Sequence, residues 1–270
     1  DSAAKVLLAN EIYITGNFFP KDWNYVNGDL FILFGHVFII PFIGVLKTSF
    51  LAHAISSIAL GALIIIGVYI VCKQANLSTN RATGITAIFA AGISGFVAEN
   101  LYGQGSYGAI FCISIYTIYF YIKSEKSSKI NKNSIFFALL IILSTWSNPF
   151  RAFISYILPL AFAIIHLNFK NNSKEKILKN LVIIGVSVTI GILAHKITMR
   201  YVQNTSGVSS ALWLAPENML RNFLLSWKGI LSLLGGTPPE NFPIISINGL
   251  VYAIRLSACI FLIVIIPSQL

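Results

Sequence analysis

Charge is what this sequence most lacks. Only 10% of its 270 residues are Asp, Glu, Lys or Arg, whereas a soluble domain carries roughly a quarter. That shortage excludes an ordinary water-soluble fold. Acids are scarcer still, nine against 19 bases, so each carboxylate counts as a candidate for chemistry. The three cysteines, Cys72, Cys112 and Cys259, are widely spaced within apolar segments, which excludes a disulfide framework and any short Cys-based metal motif. Sequence signatures of a nucleophile elbow, a zinc-protease helix or a phosphate-cradling glycine loop are missing, which disfavours an ATP-driven pump. No secretory signal peptide is visible. The chain begins at Asp1 rather than Met and ends directly after an apolar segment, so the expectation is a fragment with at least one helix ahead of Asp1.

What is present is apolar. Hydrophobic residues make up 56% of the chain and mean hydropathy is +0.78. Seven segments are long enough to be expected as membrane spans: 50–72, 82–98, 107–122, 134–148, 152–169, 181–199 and 248–267. The fold class expected is therefore all-α, a polytopic transmembrane helix bundle with external juxtamembrane helices. Net charge is +10, but the lysines fall in short clusters between apolar segments, so the excess reads as topology and not as nucleic-acid binding. Lys123, Lys126, Lys129 and Lys132, and then Lys170, Lys174, Lys176 and Lys179, mark two cytoplasmic linkers. The tip Ser147-Asn148-Pro149-Phe150-Arg151 between them then lies on the opposite, external face, as do 99–106 and 200–248.

Four regions follow: an external loop over 1–47, a helix bundle over 48–199, a second external segment over 200–247 and a further span over 248–270. Residues 1–29 hold four acids (Asp1, Glu11, Asp22, Asp29) against Lys5 and Lys21, unlike any linker assigned inside. Segment 30–46, interrupted by Gly35, Pro41 and Gly44, is expected to dip into the outer leaflet instead of crossing. In the second external segment, Leu220, Phe223, Leu224, Trp227, Ile230, Leu231 and Leu234 recur at helical spacing behind Pro216 and ahead of Gly235-Gly236. This predicts an amphipathic helix lying along the interface.

Ionisable residues at membrane depth are costly and functional by default. On the external side these are Asp1, Glu99, Arg151, His53, His195, Lys196 and Arg255. Asp1 and Glu99 are the acid/base candidates. Arg151 and Arg255 are the phosphate candidates, since a guanidinium fork matches phosphate oxygens. His195 reads as interfacial, and Glu11, Asp22 and Asp29 as loop charge.

The order of features resembles a known class. An acid opening an external loop, then LLANEIYITGNFFPKDWNYVNGDLFILFGH, an external acid within GFVAENLYGQGSYG and an external SNPFRA turn resemble the GT-C class of integral-membrane glycosyltransferases, to which protein O-mannosyltransferases and aminoarabinose transferases belong. The resemblance implies that Asp1 is the general base and that Glu99 matches the acid of the second external loop. Ser2 stands where the class frequently has a second acid, and Lys47 or His53 where it often has Arg. Trp23, Tyr25 and Tyr102 complete the expected substrate-binding set with Lys47, His53, Arg151 and Arg255. The activity implied is transfer of a sugar from a polyprenyl-phosphate donor to a lipid, glycan or protein acceptor on the external face of a bacterial cytoplasmic membrane, with a divalent metal left open. Rival readings are a lipid-linked sugar flippase or transporter, an O-antigen polymerase or ligase, and a non-catalytic assembly subunit.

Overall fold

The computed structural model describes residues 2–91, 94–103, 106–127, 129–170, 174–205, 215–237, 243 and 245–268. It is an all-α architecture, 78% helix against 3% strand. Helix α1 (Ser2–Thr15) leads through strand β1 (Asn24–Val26) to two 3-10 turns, Gly35–Phe38 and Ile40–Phe42, and the short α2 (Ile43–Leu46). Then come α3 (Phe50–Gln74), α4 (Thr79–Ala90), α5 (Gly95–Ala98) and a π turn over Glu99–Gly103. Helices α6 (Ser106–Ser124) and α7 (Lys132–Ser147) are followed by a continuous rod made of α8 (Pro149–Ala152), a π turn over Phe153–Ile157 and α9 (Leu158–Lys170). The chain continues through α10 (Lys174–Thr198), strand β2 (Gln203–Thr205), α11 (Pro216–Leu233) and α12 (Ile247–Ser268). Two compact units result: residues 1–87 with 100–209, and residues 88–99 with 210–270.

Local chemistry sets the ends of the bundle helices in the first unit. Asn131 caps α7, its side-chain oxygen accepting from the Asn133 and Ser134 N–H groups while the Ser134 hydroxyl closes the reciprocal bond. Asn148 both ends α7 and caps α8, accepting the Arg151 N–H at 3.0 Å, with Pro149 in the first turn where its missing N–H costs nothing. Pro159 explains the π turn before it. With no N–H to donate, and a ring that would press on the carbonyl one turn back, the helix widens over 153–157. Helix α7 packs on α10 and on α6, α6 packs on α3, and α9 packs on α10. The α7–α10 approach is close because Gly191 faces Thr145, where even a methyl group would collide. Tyr121, Phe137, Ile141, Tyr156, Ile157, Ile164 and Ile184 form the core between these helices.

Three described helices are long and apolar enough to cross a membrane: Phe50–Gln74, Pro149–Asn168 and Lys174–Thr198. In none of the three is more than 33% of the apolar 18-residue stretch buried inside the protein, which leaves a large apolar surface exposed. Seven spans were expected, and the shortfall has local reasons. The helix of 82–98 stops at Ala90 after 12 residues, about 18 Å of rise, and re-forms only as the short α5. Helix α7 has 16 residues, about 24 Å, short of the ~30 Å hydrocarbon core. Tyr, Ser and Thr side chains and Lys123 dilute α6. The expected span 248–267 falls within α12, Ile247–Ser268, whose side chains are described as far as Ile260.

Segment 30–46 is not a spanning helix. It is a run of tight turns whose start and finish lie at one end of the bundle. The Leu30 N–H bonds to the Ser147 carbonyl at 3.0 Å. Further on, Ile39 and Ile43 pack with Val6, Ala9 and Ala52 near the start of α3. That start belongs to the same end, since the Ser57 hydroxyl reaches the Gly103 carbonyl just ahead of α6 and α6 is joined to the antiparallel α7 by a short linker. Parallel pairing of β1 with β2, Asn24 opposite Gln203 through Val26 opposite Thr205, brings the exit of α10 to this end as well.

In the second unit, α11 runs as its periodicity predicts and exposes Leu220, Phe223, Leu224 and Trp227. Gly235, with φ of 76°, supplies the left-handed residue after its last turn. The Ser94 hydroxyl donates to the Leu233 carbonyl at 2.7 Å, and Cys259 is buried with its thiol 3.7 Å from the Leu234 carbonyl.

Candidate functional site at the tip end of the bundle

The α7–α8 tip gathers charged and aromatic side chains from several elements. In the turn after β1, Asn27 and Gly28 both adopt positive φ, 57° and 66°, and the Gly28 N–H is held by the Asn204 side chain at 3.1 Å. The turn drives Asp29 inward, where it is buried, and its Oδ2 lies 3.0 Å from Arg151 Nη1. The other oxygen accepts the Phe31 N–H and the Ser147 hydroxyl, each at 3.4 Å. Burial pushes the Asp29 carboxyl above the usual carboxylate range, against the opposing pull of Arg151, the Phe31 N–H, Ser147 and His195. Desolvation therefore outweighs pairing at this carboxylate. A perturbed acid beside a guanidinium is a signature of functional sites.

The neighbours hold this pair in place. His195 Nδ1 sits 2.8 Å from the Trp146 carbonyl. A carbonyl only accepts, so Nδ1 carries the proton and Nε2 is turned toward the Gly28 turn. The Trp146 indole N–H donates to Thr198 at 2.9 Å, and Tyr107 presents its ring face 5.6 Å from the Arg151 guanidinium. A cavity of about 20 Å³ lies inward of Asp29, lined by Ser144, Ser147, Phe31 and Ile113. It has room for one water.

The expected site residues fare unevenly. Asp1, expected as the base, lies outside the described residues. Glu99 and Arg255 belong to the second unit, where Glu99 is exposed and Arg255 lies 5.7 Å from the Tyr252 ring centre. Arg151 was expected as a free phosphate ligand, but its guanidinium already holds Asp29. Tyr25 was expected to meet substrate, yet it is 0% exposed. It packs with Leu30 and Ile32 against Trp23, Phe19 and Trp146, and burial raises its phenol to about 12. Trp23 is half-buried against that same cluster. Tyr102 packs toward Gly61 on α3. Lys47 is exposed at φ of 54°. His53 lines an open groove of about 560 Å³ between α1 and the start of α3, along with Val6, Leu7, Ser49 and Phe50.

Sequence reasoning missed Asp29, which looked like loop charge, and Lys5, a lysine that is 1% exposed. A cation on the apolar helix α1 was the available signal for Lys5. For Asp29 the only hint was an acid between a Gly turn and an apolar run.

The opposite end of the bundle is chemically different. Lys179 donates to the Ser127 carbonyl at 2.8 Å and Lys176 to the Glu125 carbonyl at 3.2 Å, so two ammonium groups cap the end of α6, where the helix dipole favours positive charge. Asn180 bonds the Glu125 carboxylate. Among the described residues, no three His, Cys, Asp or Glu side chains come together to hold a metal ion. No family model matches this chain, and no curated protein or solved structure is similar to it.

Proposed function

We propose that this chain is the core of a membrane glycosyltransferase that works at the tip end of its bundle, on the external face of a bacterial cytoplasmic membrane, with a polyprenyl-phosphate-linked sugar as donor. One observation carries the reading: the two ends of the bundle differ in chemistry. At one end lysines cap helix ends, as a cytoplasmic face would have it. At the other, an acidic, aromatic opening loop folds over an Arg-bearing tip and buries a carboxylate there. In this reading the expected segments 82–98, 107–122, 134–148 and 248–267 complete the seven spans, with snorkelling side chains and local thinning making up for their length.

The chemistry asked of such a site is a single displacement. A carboxylate takes the proton of the acceptor hydroxyl or amine as the new bond forms at the anomeric carbon. The bond from that carbon to the donor phosphate breaks, and the phosphate leaves with the electron pair, its growing charge met by a fixed cation. Inversion at the anomeric carbon follows. Asp1 is the base implied by resemblance. The test is reconstitution of the whole protein in vesicles with a radiolabelled polyprenyl-phosphate sugar and external acceptor. Transfer that Asp1→Asn lowers by roughly 10²- to 10⁴-fold, the range for loss of acid/base catalysis, supports the reading. Translocation of the donor lipid without transfer to any acceptor refutes it in favour of a flippase.

A further inference from the structure

The two ends of α11 are finished differently. At the C-terminal end the helix closes on itself first: the Leu234 N–H bonds to the Ile230 carbonyl at 3.1 Å, the Gly236 N–H to Leu231 at 2.8 Å and the Gly235 N–H to Ser232 at 3.0 Å. The two carbonyls which that pattern leaves open are met from other segments. The Ser94 hydroxyl donates to the Leu233 carbonyl at 2.7 Å, and the Cys259 thiol lies 3.7 Å from the Leu234 carbonyl. Gly236 is buried, and a side chain there would meet Cys259 Sγ at 3.3 Å and Leu256 Cα at 3.5 Å. The N-terminal end has no such seal. Its cap, Ala215, offers no side-chain hydrogen bond, and every residue from 215 to 230 is exposed.

Side chains follow the same gradient. Toward the sealed end the Ser226 hydroxyl donates to the Phe223 carbonyl at 2.6 Å, and the Ser232 hydroxyl pairs with Thr237 at 2.7 Å. Toward the open end Glu217, Asn218, Arg221 and Asn222 have no side-chain partner among the described residues. A helix end in water leaves its last carbonyls to solvent, whereas in hydrocarbon the protein itself must satisfy them. One end of α11 is thus built for a dry setting and the other for a wet one.

The contact with α12 sets the depth. Ser246 opens α12, its hydroxyl accepting the Gly249 N–H at 3.0 Å. At 1.5 Å of rise per residue, Leu256 and Cys259 lie about 14 and 18 Å along α12 from Ile247, the middle of a ~30 Å hydrocarbon core. This depth scale rests on α12 crossing the membrane, as the glycosyltransferase reading has it. A helix lying flat, as its period alone predicts, would then hold Glu217, Asn218 and Arg221 at that same depth, where charge is costly. With 18 residues, or about 27 Å, α11 is long enough to climb from there to the surface.

We infer that α11 enters the bilayer obliquely, with Pro216 among the headgroups and Leu234 at the mid-depth of α12, and that lipid acyl chains cover its stripe of Leu220, Phe223, Leu224, Trp227 and Ile230. The charges fit this slope. Glu217 and Arg221 fall in the shallow half. Lys228 starts deeper, but helical side chains lean toward the N-terminus of their own helix, here toward the headgroups, so its stem lies along the acyl chains while the ammonium snorkels upward.

The experiment reads tryptophan depth in the whole protein, reconstituted in phosphatidylcholine vesicles whose acyl chains carry bromine either near the headgroup or near the chain end. In a Trp227→Phe background, Trp is introduced by Leu220→Trp or Ile230→Trp on the α11 stripe and by Ile254→Trp on α12, all exposed positions, and the background signal is subtracted. Ile254→Trp and Ile230→Trp should be quenched more by the deep bromines, and Leu220→Trp more by the shallow ones. The two α11 probes should differ in depth by roughly 8 Å. Equal depths on α11 beside a deep Ile254→Trp overturn the slope and leave the glycosyltransferase reading untouched. A shallow Ile254→Trp removes α12 from the spans and overturns the inference with it. Absence of quenching at both α11 probes means that protein, a second copy or the chain's own helices, covers the stripe, and overturns lipid as its partner. Graded quenching in a protein that fails the sugar-transfer assay sinks the glycosyltransferase reading and leaves the oblique helix standing.

Discussion

Removing either half of the Asp29–Arg151 pair should destabilise the protein, and the two removals should be unequal. Asp29 is the deeper partner, with a side chain 10% exposed against 33% for Arg151. Truncating one partner of a fully buried pair costs about 3–5 kcal/mol, whereas exposed pairs are worth about 0–1 kcal/mol. Arg151→Met leaves a buried carboxylate with only the Phe31 N–H and Ser147 for support, so about 2–3 kcal/mol should be lost near neutral pH. Asp29→Asn leaves a guanidinium that can turn to water and still rests on Tyr107, so the loss should be near 1 kcal/mol. The double variant, with no buried charge left, should fall close to the parent. The sign with pH follows from Asp29. Burial raises its folded-state value, so the cost of holding it ionised is absent below the ordinary carboxylate range and grows as pH rises through the raised value. The Arg151→Met penalty should therefore shrink as the solution is acidified and Asp29 takes up a proton. A double-mutant cycle, read from denaturant unfolding in micelles at several pH values, measures all of this. Additive single losses, within about 0.5 kcal/mol, or an Arg151→Met penalty independent of pH, would refute the reasoning.

Two further outcomes are expected. Gly191→Ala should separate α7 from α10 at a cost of about 1–3 kcal/mol, because the new methyl lies 2.8 Å from Thr145 Cβ and 2.9 Å from the Ile142 carbonyl oxygen. Thr145→Gly in the same protein should restore part of the lost unfolding temperature, and no recovery would mean that the two helices pack otherwise. A cysteine at Asn17 should react with a membrane-impermeant thiol reagent in intact cells while one at Lys126 reacts only after permeabilisation, and the reverse pattern would place the proposed site in the cytoplasm.

Where sequence was informative, the determinants were local. The SNPFRA tip could be read because Asn caps and Pro opens a helix within a few residues. The lysine linkers and the long apolar run of α10 declared themselves by composition, and the seven-residue stripe of α11 by its period. Where it failed, the determinants were distant or relational. Asp29 looks like any loop acid until the Leu30 N–H meets Ser147 and the Asn204 side chain meets Gly28, contacts that no window of sequence contains. Tyr25 looks like an interfacial aromatic until Trp146 and Val202, from two other segments, close over the cluster around it. Span number was overestimated because hydropathy ranks segments by composition, while α4 and α7 are limited by where their caps and breaks fall. The burial of Lys5 was signalled only by its place on an apolar helix, since its Ser57 partner lies 52 positions along the chain.

The pairing of β1 with β2 also has a bearing on how the protein is made. Asn24 bonds Thr205 across 181 positions of chain, and at about 5–20 residues per second of synthesis the second strand emerges roughly ten to forty seconds after the first. Until then the opening loop has been delivered but has nothing to close against, and its buried acid waits in water. The last long helix of the first unit must therefore be threaded before the tip can be sealed. Assembly order makes the tip the final part of this unit to mature, so a chain arrested before Gln203 should carry a complete set of early helices and an unlatched, protease-sensitive loop.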